Sequence, residues 1–232
     1  MSDLAHRLAG KFLVLDGPDG SGKSTQLARL KDHLTALGAR VETVRDPGGS
    51  DVGDAIRKIL LDRSTGRMGA MCETLLFMAS RAQLIEERIR PALNAGKVVL
   101  CDRFVSATLA YQGAAGVDAN VVLSLAESAV QGIWPDLTII LDVPVQVGMQ
   151  RAGSRGDWSR SSEKSAKDQP SLFGDRLEAR SESYHEAVRR NFRALPKEYP
   201  HPAVCIKGDR DVEAVFEDIL AALEKAFPES AE

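Results

Sequence analysis

One stretch constrains this chain more than any other. Gly17-Pro18-Asp19-Gly20-Ser21-Gly22-Lys23-Ser24 follows the apolar run Phe12-Leu13-Val14-Leu15 and precedes a segment of helical periodicity. G-x-x-x-x-G-K-[ST] between a buried strand and a helix is the pattern of a phosphate-binding loop. Glycines let the main chain turn tightly enough for several N–H groups to face one anion, and the helix behind adds the positive end of its dipole. The residues from Gly17 to Thr25 are therefore the expected cradle of a nucleoside triphosphate. Lys23 can reach the outer phosphates, and the Ser24 hydroxyl can hold Mg²⁺.

At 232 residues the chain is long enough for a large α/β domain with insertions, and a single domain over residues 1–232 is expected. Its 30 lysines and arginines face 33 acidic residues, which argues against binding nucleic acid or an anionic membrane by bulk charge. A negative substrate has to be recognised by local arginines. Cys72, Cys101 and Cys205 are odd in number, widely spaced and without C-x-x-C, so neither a disulfide framework nor a zinc site is indicated. No stretch approaches the apolar length of a membrane span, and Met1-Ser2-Asp3 does not open a basic-then-apolar signal pattern. The expected location is the cytoplasm.

Lys11 to Asp16, continuously apolar rather than alternating, reads as a buried parallel strand, and Val41 to Arg45, Val98 to Cys101, Leu137 to Leu141 and Ala203 to Lys207 read as four more strands. Between them Leu27, Leu30, Leu34 and Leu37 keep helical spacing up to Gly38, and a helix capped by Ser50 or Asp51 carries Val52, Ile56, Ile59 and Leu60. A long helical stretch runs from about Ala70 to Asn94, another follows Asp118, and a last one passes through Val212, Val215 and Ile219. Residues 152–175 are serine- and charge-rich, with almost no apolar periodicity, and read as a mobile surface segment within a lid at about 148–178. The expected architecture is an α/β, P-loop three-layer fold. Its five-stranded parallel sheet carries helices on both faces, with the ligand site at the carboxyl ends of the strands.

Several pieces expected at those ends resemble the thymidylate kinase family. They are the phosphate loop, Arg45-Asp46-Pro47-Gly48-Gly49, Leu76-Phe77-Met78-Ala79-Ser80-Arg81, and Asp102-Arg103 followed by Ala107-Thr108-Leu109-Ala110-Tyr111-Gln112-Gly113. Pro135-Asp136-Leu137 leading to Leu141-Asp142-Val143, and Asp175-Arg176-Leu177-Glu178, complete the series in the same order. The resemblance implies ATP-dependent phosphorylation of dTMP, Mg²⁺ as cofactor and a homodimer. Asp46 departs from the glutamate common before Pro-Gly in bacterial members, and the stretch from Gly156 to Gly174 is longer than the usual lid.

The expected roles follow from chemistry and from the resemblance together. Asp102, at a strand end, is the acidic partner of Ser24 on the metal or a capping residue of the next turn. Arg103 beside it is a planar, permanently charged fork suited to phosphate oxygens, and the resemblance sets it between donor and acceptor phosphates. Phe77 and Arg81, four apart, share a helix face and are expected to stack the acceptor base and grip its phosphate, with Arg45 and Pro47 beside them. A carboxylate at Asp19 would repel the donor's phosphates if it faced them, so it is expected to turn to a hydroxyl of the acceptor sugar. By resemblance Thr108, Tyr111 and Gln112 read base and sugar. The phosphate loop lacks an arginine, so the remaining transition-state charge is expected from Arg176 and Arg155, then Arg151. A nucleoside kinase would have no use for Arg81 and Arg45. A guanine-nucleotide switch would need Asn-Lys-x-Asp, of which Ser165-Ala166-Lys167-Asp168 is a poor imitation without a strand before it.

Overall fold

A computed structural model describes residues 3–158 and 180–229. In chain order the elements are α1 (Asp3–Arg7), β1 (Phe12–Asp16), α2 (Lys23–Ala36), β2 (Val41–Arg45), α3 (Asp51–Leu61) and α4 (Ala70–Leu84). They continue with α5 (Arg90–Asn94), β3 (Val98–Asp102), α6 (Val105–Ala114), α7 (Ala119–Val130) and β4 (Leu137–Asp142). The last are α8 (Val145–Trp158), α9 (Glu182–Glu198), β5 (Ala203–Lys207) and α10 (Val212–Ala226).

The five strands form one parallel sheet in the order β2-β3-β1-β4-β5. Successive side chains of a strand point to opposite faces, and the core divides accordingly. Phe12 and Val14 join Met78, Phe104, Val122 and Phe192 on the face covered by α4, α6, α7 and α9. Leu13 and Leu15 join Leu4, Leu30, Leu34, Phe216 and Ile219 under α1, α2 and α10. Burial on both faces explains why these strands read as apolar runs. The central position of β1 puts the loop after it at the switch point of the sheet, where β3 leaves on one side and β4 on the other.

Cap residues end the helices where the sequence marks them. Ser50 Oγ accepts from Gly53 N at 3.0 Å, and Asp118 and Asp211 accept from the first-turn N–H groups of α7 and α10. The stretch expected from Ala70 to Asn94 is continuous but not uniform, because a π-helical turn at Ile85–Ile89 separates α4 from α5.

Three elements depart from expectation. α6 is buried nearly all round, so it shows no polar face for a periodicity to reveal. α9 buries only Val188, Phe192 and Leu195 over its whole length, a thin stripe beside a charge-rich stretch. The mobile segment expected from residue 152 begins in helix instead, since α8 runs to Trp158.

Candidate active site

The phosphate loop is shaped by close approach as much as by torsion. Gly17, Gly20 and Gly22 have φ of 136°, 70° and 94°. A Cβ on Gly17 would lie 2.4 Å from the Leu141 carbonyl oxygen, and one on Gly20 2.1 Å from that of Gly148, so β4 and the first turn of α8 leave room for glycine alone. α2 starts from Gly22 with no side-chain cap, which leaves its first turn, with Ser24 and Thr25, to an anion.

Lys23 folds back over the loop. Its ammonium donates to the carbonyls of Gly17 and Pro18 at 3.0 and 2.9 Å and lies 3.4 Å from Ser21 Oγ. Burial, and then the neighbouring Arg103 cation, push it down to about 8 against the pull of Asp19, Asp102 and Asp16. Ser24 Oγ lies 3.4 Å from Asp102 Oδ2. The other oxygen of Asp102 is buried without a hydrogen-bond partner, which suits a cation or a metal-bound water. Among the described residues no three acidic, histidine or cysteine side chains converge as a metal cage. A single carboxylate with a hydroxyl and substrate phosphates is the arrangement Mg²⁺ favours.

Arg103 stands at the centre. It follows β3 directly with φ 69°, and its N–H donates to Leu15 O at 3.0 Å, which anchors the turn against β1. Its guanidinium donates to the Gly17 carbonyl at 3.1 Å and to Asp19 Oδ1, sits 3.6 Å from Asp16 Oδ1, and lies 5.0 Å from the centroid of the Tyr111 ring. Asp19 Oδ2 accepts from the Tyr111 hydroxyl at 2.8 Å. Burial works against the Asp19 carboxylate, but Arg103, Lys23 and the Tyr111 hydroxyl together hold it below the usual range. Asp16 goes the other way, because desolvation outweighs Arg103, the Ser106 hydroxyl at 2.6 Å and Lys23. Phosphate loop, Asp19, Arg103 and Tyr111 thus form one hydrogen-bonded unit.

Beyond it the turn after β2 carries Asp46 and Pro47, joined by a cis peptide. Arg45 is half-buried, 3.6 Å from Asp54 Oδ1. The Pro47 carbonyl accepts from Arg57 Nη1 at 2.9 Å. Among the described residues, Arg81 lies deepest of the expected arginines. It is 1% exposed, and its Nε donates to Asp46 Oδ2 at 2.6 Å while Nη2 donates to Phe104 O at 3.1 Å and Thr108 Oγ1 at 3.0 Å. Its Nε and Nη2 are thus engaged within the protein, beside Thr108. Phe77 is partly buried and packs against the cluster of Leu60 and Leu61. Gln112 is buried, and its amide donates to Glu73 Oε2 at 3.3 Å. Arg151 Nη1 donates to Gly208 O at 2.8 Å, at the edge of the phosphate loop. Arg155 falls on α8, but its side chain, like all of Arg176, lies outside the described residues.

A family model described as thymidylate kinase matches residues 15–219. The thymidylate kinase of Desulfovibrio desulfuricans is 42% identical over 92% of this chain and 94% of its own. That of an Exiguobacterium species is 40% identical over 92% of this chain and 93% of its own, and that of a Geobacter species 40% over 88% and 87%. The chain belongs to the thymidylate kinase family. The stretch matched to the thymidylate kinase model takes in the phosphate loop, both arginine-bearing turns and α6, so the unit around Arg103 lies wholly inside it.

Sequence reasoning missed several side chains of the site. Asp16 was visible only as the end of a strand, although an acid closing an apolar run beside a phosphate loop was a signal. Ser106, which holds it, lies in the unforeseen α6. Glu73, buried in the first turn of α4, and Arg180 and Tyr184 at the start of α9 had no recognisable spacing, because their contact spans 107 residues.

Proposed function

We propose that this chain transfers the γ-phosphoryl group of ATP to dTMP, giving ADP and dTDP on the route to dTTP, by direct in-line transfer with Mg²⁺. Phosphorylation of dTMP is the activity of the thymidylate kinase family. The observation that carries the reading for this chain's own residues is Arg103. One guanidinium is bonded at once to the phosphate-loop carbonyl of Gly17 and to Asp19, with the Tyr111 ring beneath it. That is where a cation must stand to serve a donor phosphate on one side and an acceptor phosphate on the other.

The main-chain amides from Gly17 to Thr25 hold the β- and γ-phosphates. Lys23 leaves the loop's carbonyls for their oxygens. Ser24 and Asp102 would hold Mg²⁺, which would supply neutralisation of the phosphate charge. The acceptor phosphate is already ionised near neutral pH, so no general base is needed, and catalysis reduces to placement and electrostatics. Arg103 and Arg45 bind the acceptor phosphate, and Arg57 at the Pro47 carbonyl supports that turn. Arg81 serves the base end, through Thr108, in place of the phosphate. Phe77 is the stacking surface and Gln112 closes the pocket. Asp19, held ionised by Arg103, accepts from the sugar hydroxyl, and Tyr111 crowds the 2′ position. Arg155 and Arg176, with Arg151 next, complete the charge around the transferred group. Val52, Ile59, Met71 and Leu75, exposed on α3 and α4, support a homodimer. An ATP-consuming step on a nucleotide pool accords with a cytoplasmic location. Among the described residues no helix is long and apolar enough to cross a membrane.

A coupled ADP-release assay across the common nucleoside monophosphates tests the reading. dTMP should give the highest kcat/KM and thymidine none. Turnover of thymidine without dTMP, or preference for another monophosphate, would overturn it.

A further inference from the structure

A second charged cluster lies behind the acceptor side. Arg180 directly precedes Ser181, the N-cap of α9, yet its guanidinium reaches across to α4. Nη2 donates to both oxygens of Glu73, at 2.8 and 3.0 Å. The Glu73 side chain has no solvent exposure, and the same carboxylate accepts from Gln112 Nε2 of α6 at 3.3 Å. On its other side the Arg180 guanidinium lies 4.6 Å from the centroid of the Tyr184 ring. The Tyr184 hydroxyl donates to the Tyr111 carbonyl at 2.9 Å. Burial pushes that phenol up to about 12, so it remains a donor at any working pH.

These contacts join three helices at one point. A fully buried carboxylate requires a cation with hydrogen-bonding geometry, and arginine meets two requirements at once: the N–H groups of Nη2 for the two carboxylate oxygens and a flat face for the aromatic ring. Arg180 thereby fixes Glu73, Glu73 orients the Gln112 amide, and Tyr184 under Arg180 holds the main chain of Tyr111. Asn191 Nδ2, donating to Ala110 O at 3.0 Å, ties the same stretch of α6 to α9 two turns further along α9. Thr108, Tyr111 and Gln112 all lie on this stretch.

We propose that Arg180 is a positioning residue for the acceptor nucleotide, setting Tyr111 and Gln112 through Tyr184 and Glu73 without touching substrate itself. This rests on the assignment of α6 to the acceptor pocket made above. The donor loop joins these contacts through the Tyr111 hydroxyl on Asp19, one step further from Arg180 than the acceptor pocket, so the larger effect falls on the acceptor.

Steady-state kinetics with each substrate varied in turn, on wild type, Arg180→Met, Arg180→Lys and Glu73→Gln/Arg180→Met, test it, alongside thermal midpoints. Arg180→Met should raise KM for dTMP by about tenfold or more and leave KM for ATP and kcat within about twofold. Arg180→Lys should recover part of that loss, because charge returns without the flat guanidinium face over Tyr184. The double variant removes the buried charge together with its Arg180 partner and should regain thermal midpoint while keeping the high KM for dTMP. Equal losses for both substrates, an unchanged KM for dTMP, or recovery of that KM together with the midpoint would overturn the proposal. A wild-type enzyme inactive on dTMP would instead strike at the assigned reaction, and the same comparison would then be made with the acceptor that is turned over.

Discussion

Lys23 and Arg103 divide the cationic work of the site by chemistry. Arginine keeps its charge through burial between Asp16 and Asp19, and the surrounding anions and Tyr111 hold it well above its ordinary value against the opposing effect of desolvation. The cost is a left-handed backbone at a non-glycine residue, of order 1 kcal/mol. Lysine gives way instead, and burial leaves it at about 8. A triphosphate settling on the loop favours the charged form, so binding above that value must take up a proton, and below it need not. Calorimetry of ATP binding in buffers of different ionisation enthalpy should show uptake approaching one proton above about pH 9 and vanishing below about pH 7, with affinity falling as pH rises. Absence of uptake at the alkaline end would mean that Lys23 stays charged in the free protein. At this scale the sequence disclosed which groups carry charge and the turn types that present them. It did not disclose where their donors are spent. Arg81 and Asp46 are 35 positions apart, and only their contact at 2.6 Å shows that the arginine is already engaged.

Helices and strands were legible in proportion to how one-sided they are. α3, α7 and α10 each bury a stripe and carry a side-chain N-cap, α2 buries a stripe that ends at Gly38, and all four stood out accordingly. α6 is enclosed by α4, α7 and α9, and enclosure erases the alternation on which a helix is recognised. Its residues were noticed for their resemblance to a family piece, not for their periodicity. α8 shows the reverse: its importance lies in the backbone. A Cβ on Gly148, in its first turn, would lie 2.5 Å from the Asp19 carbonyl oxygen, just as one on Gly20 would strike Gly148. The phosphate loop and α8 are therefore packed main chain against main chain, and neither can yield cheaply. Gly148→Ala should destabilise the fold by about 1–3 kcal/mol, read from urea unfolding, and should weaken ATP binding because Asp19 shifts with its loop. Since Gly148 does not need a positive φ, an effect of that size would be steric in origin. A neutral substitution would show that α8 can move off the loop.

At the scale of the molecule, apolar runs revealed how many parallel strands there are but not their order, because nothing in a buried strand names its neighbours. The order β2-β3-β1-β4-β5 places the three loops that carry the site, after β1, β2 and β3, on adjacent strands. α4, with Phe77 and Arg81 on it, backs that half of the sheet and packs against α3 on one side and α7 on the other. These three helices expose Val52, Ile59, Met71, Leu75 and Val121, each at least 39% exposed. In the proposed homodimer, these large aliphatic side chains on adjacent helices are the surface that a second copy would cover about a two-fold axis, so that each residue would meet its own neighbourhood in the partner. Leu75, at 49% exposure on α4, is the most informative place to test this. A glutamate there would put one desolvated charge from each copy into the same interface, costing several kcal/mol, about 10² or more in the dissociation constant. Leu75→Glu should therefore sediment as a monomer at concentrations where the wild type is a dimer, with its far-ultraviolet circular dichroism unchanged because the position faces out. If the wild type itself sediments as a monomer, or the variant remains dimeric, the exposed face of α3 and α4 is not where two copies meet.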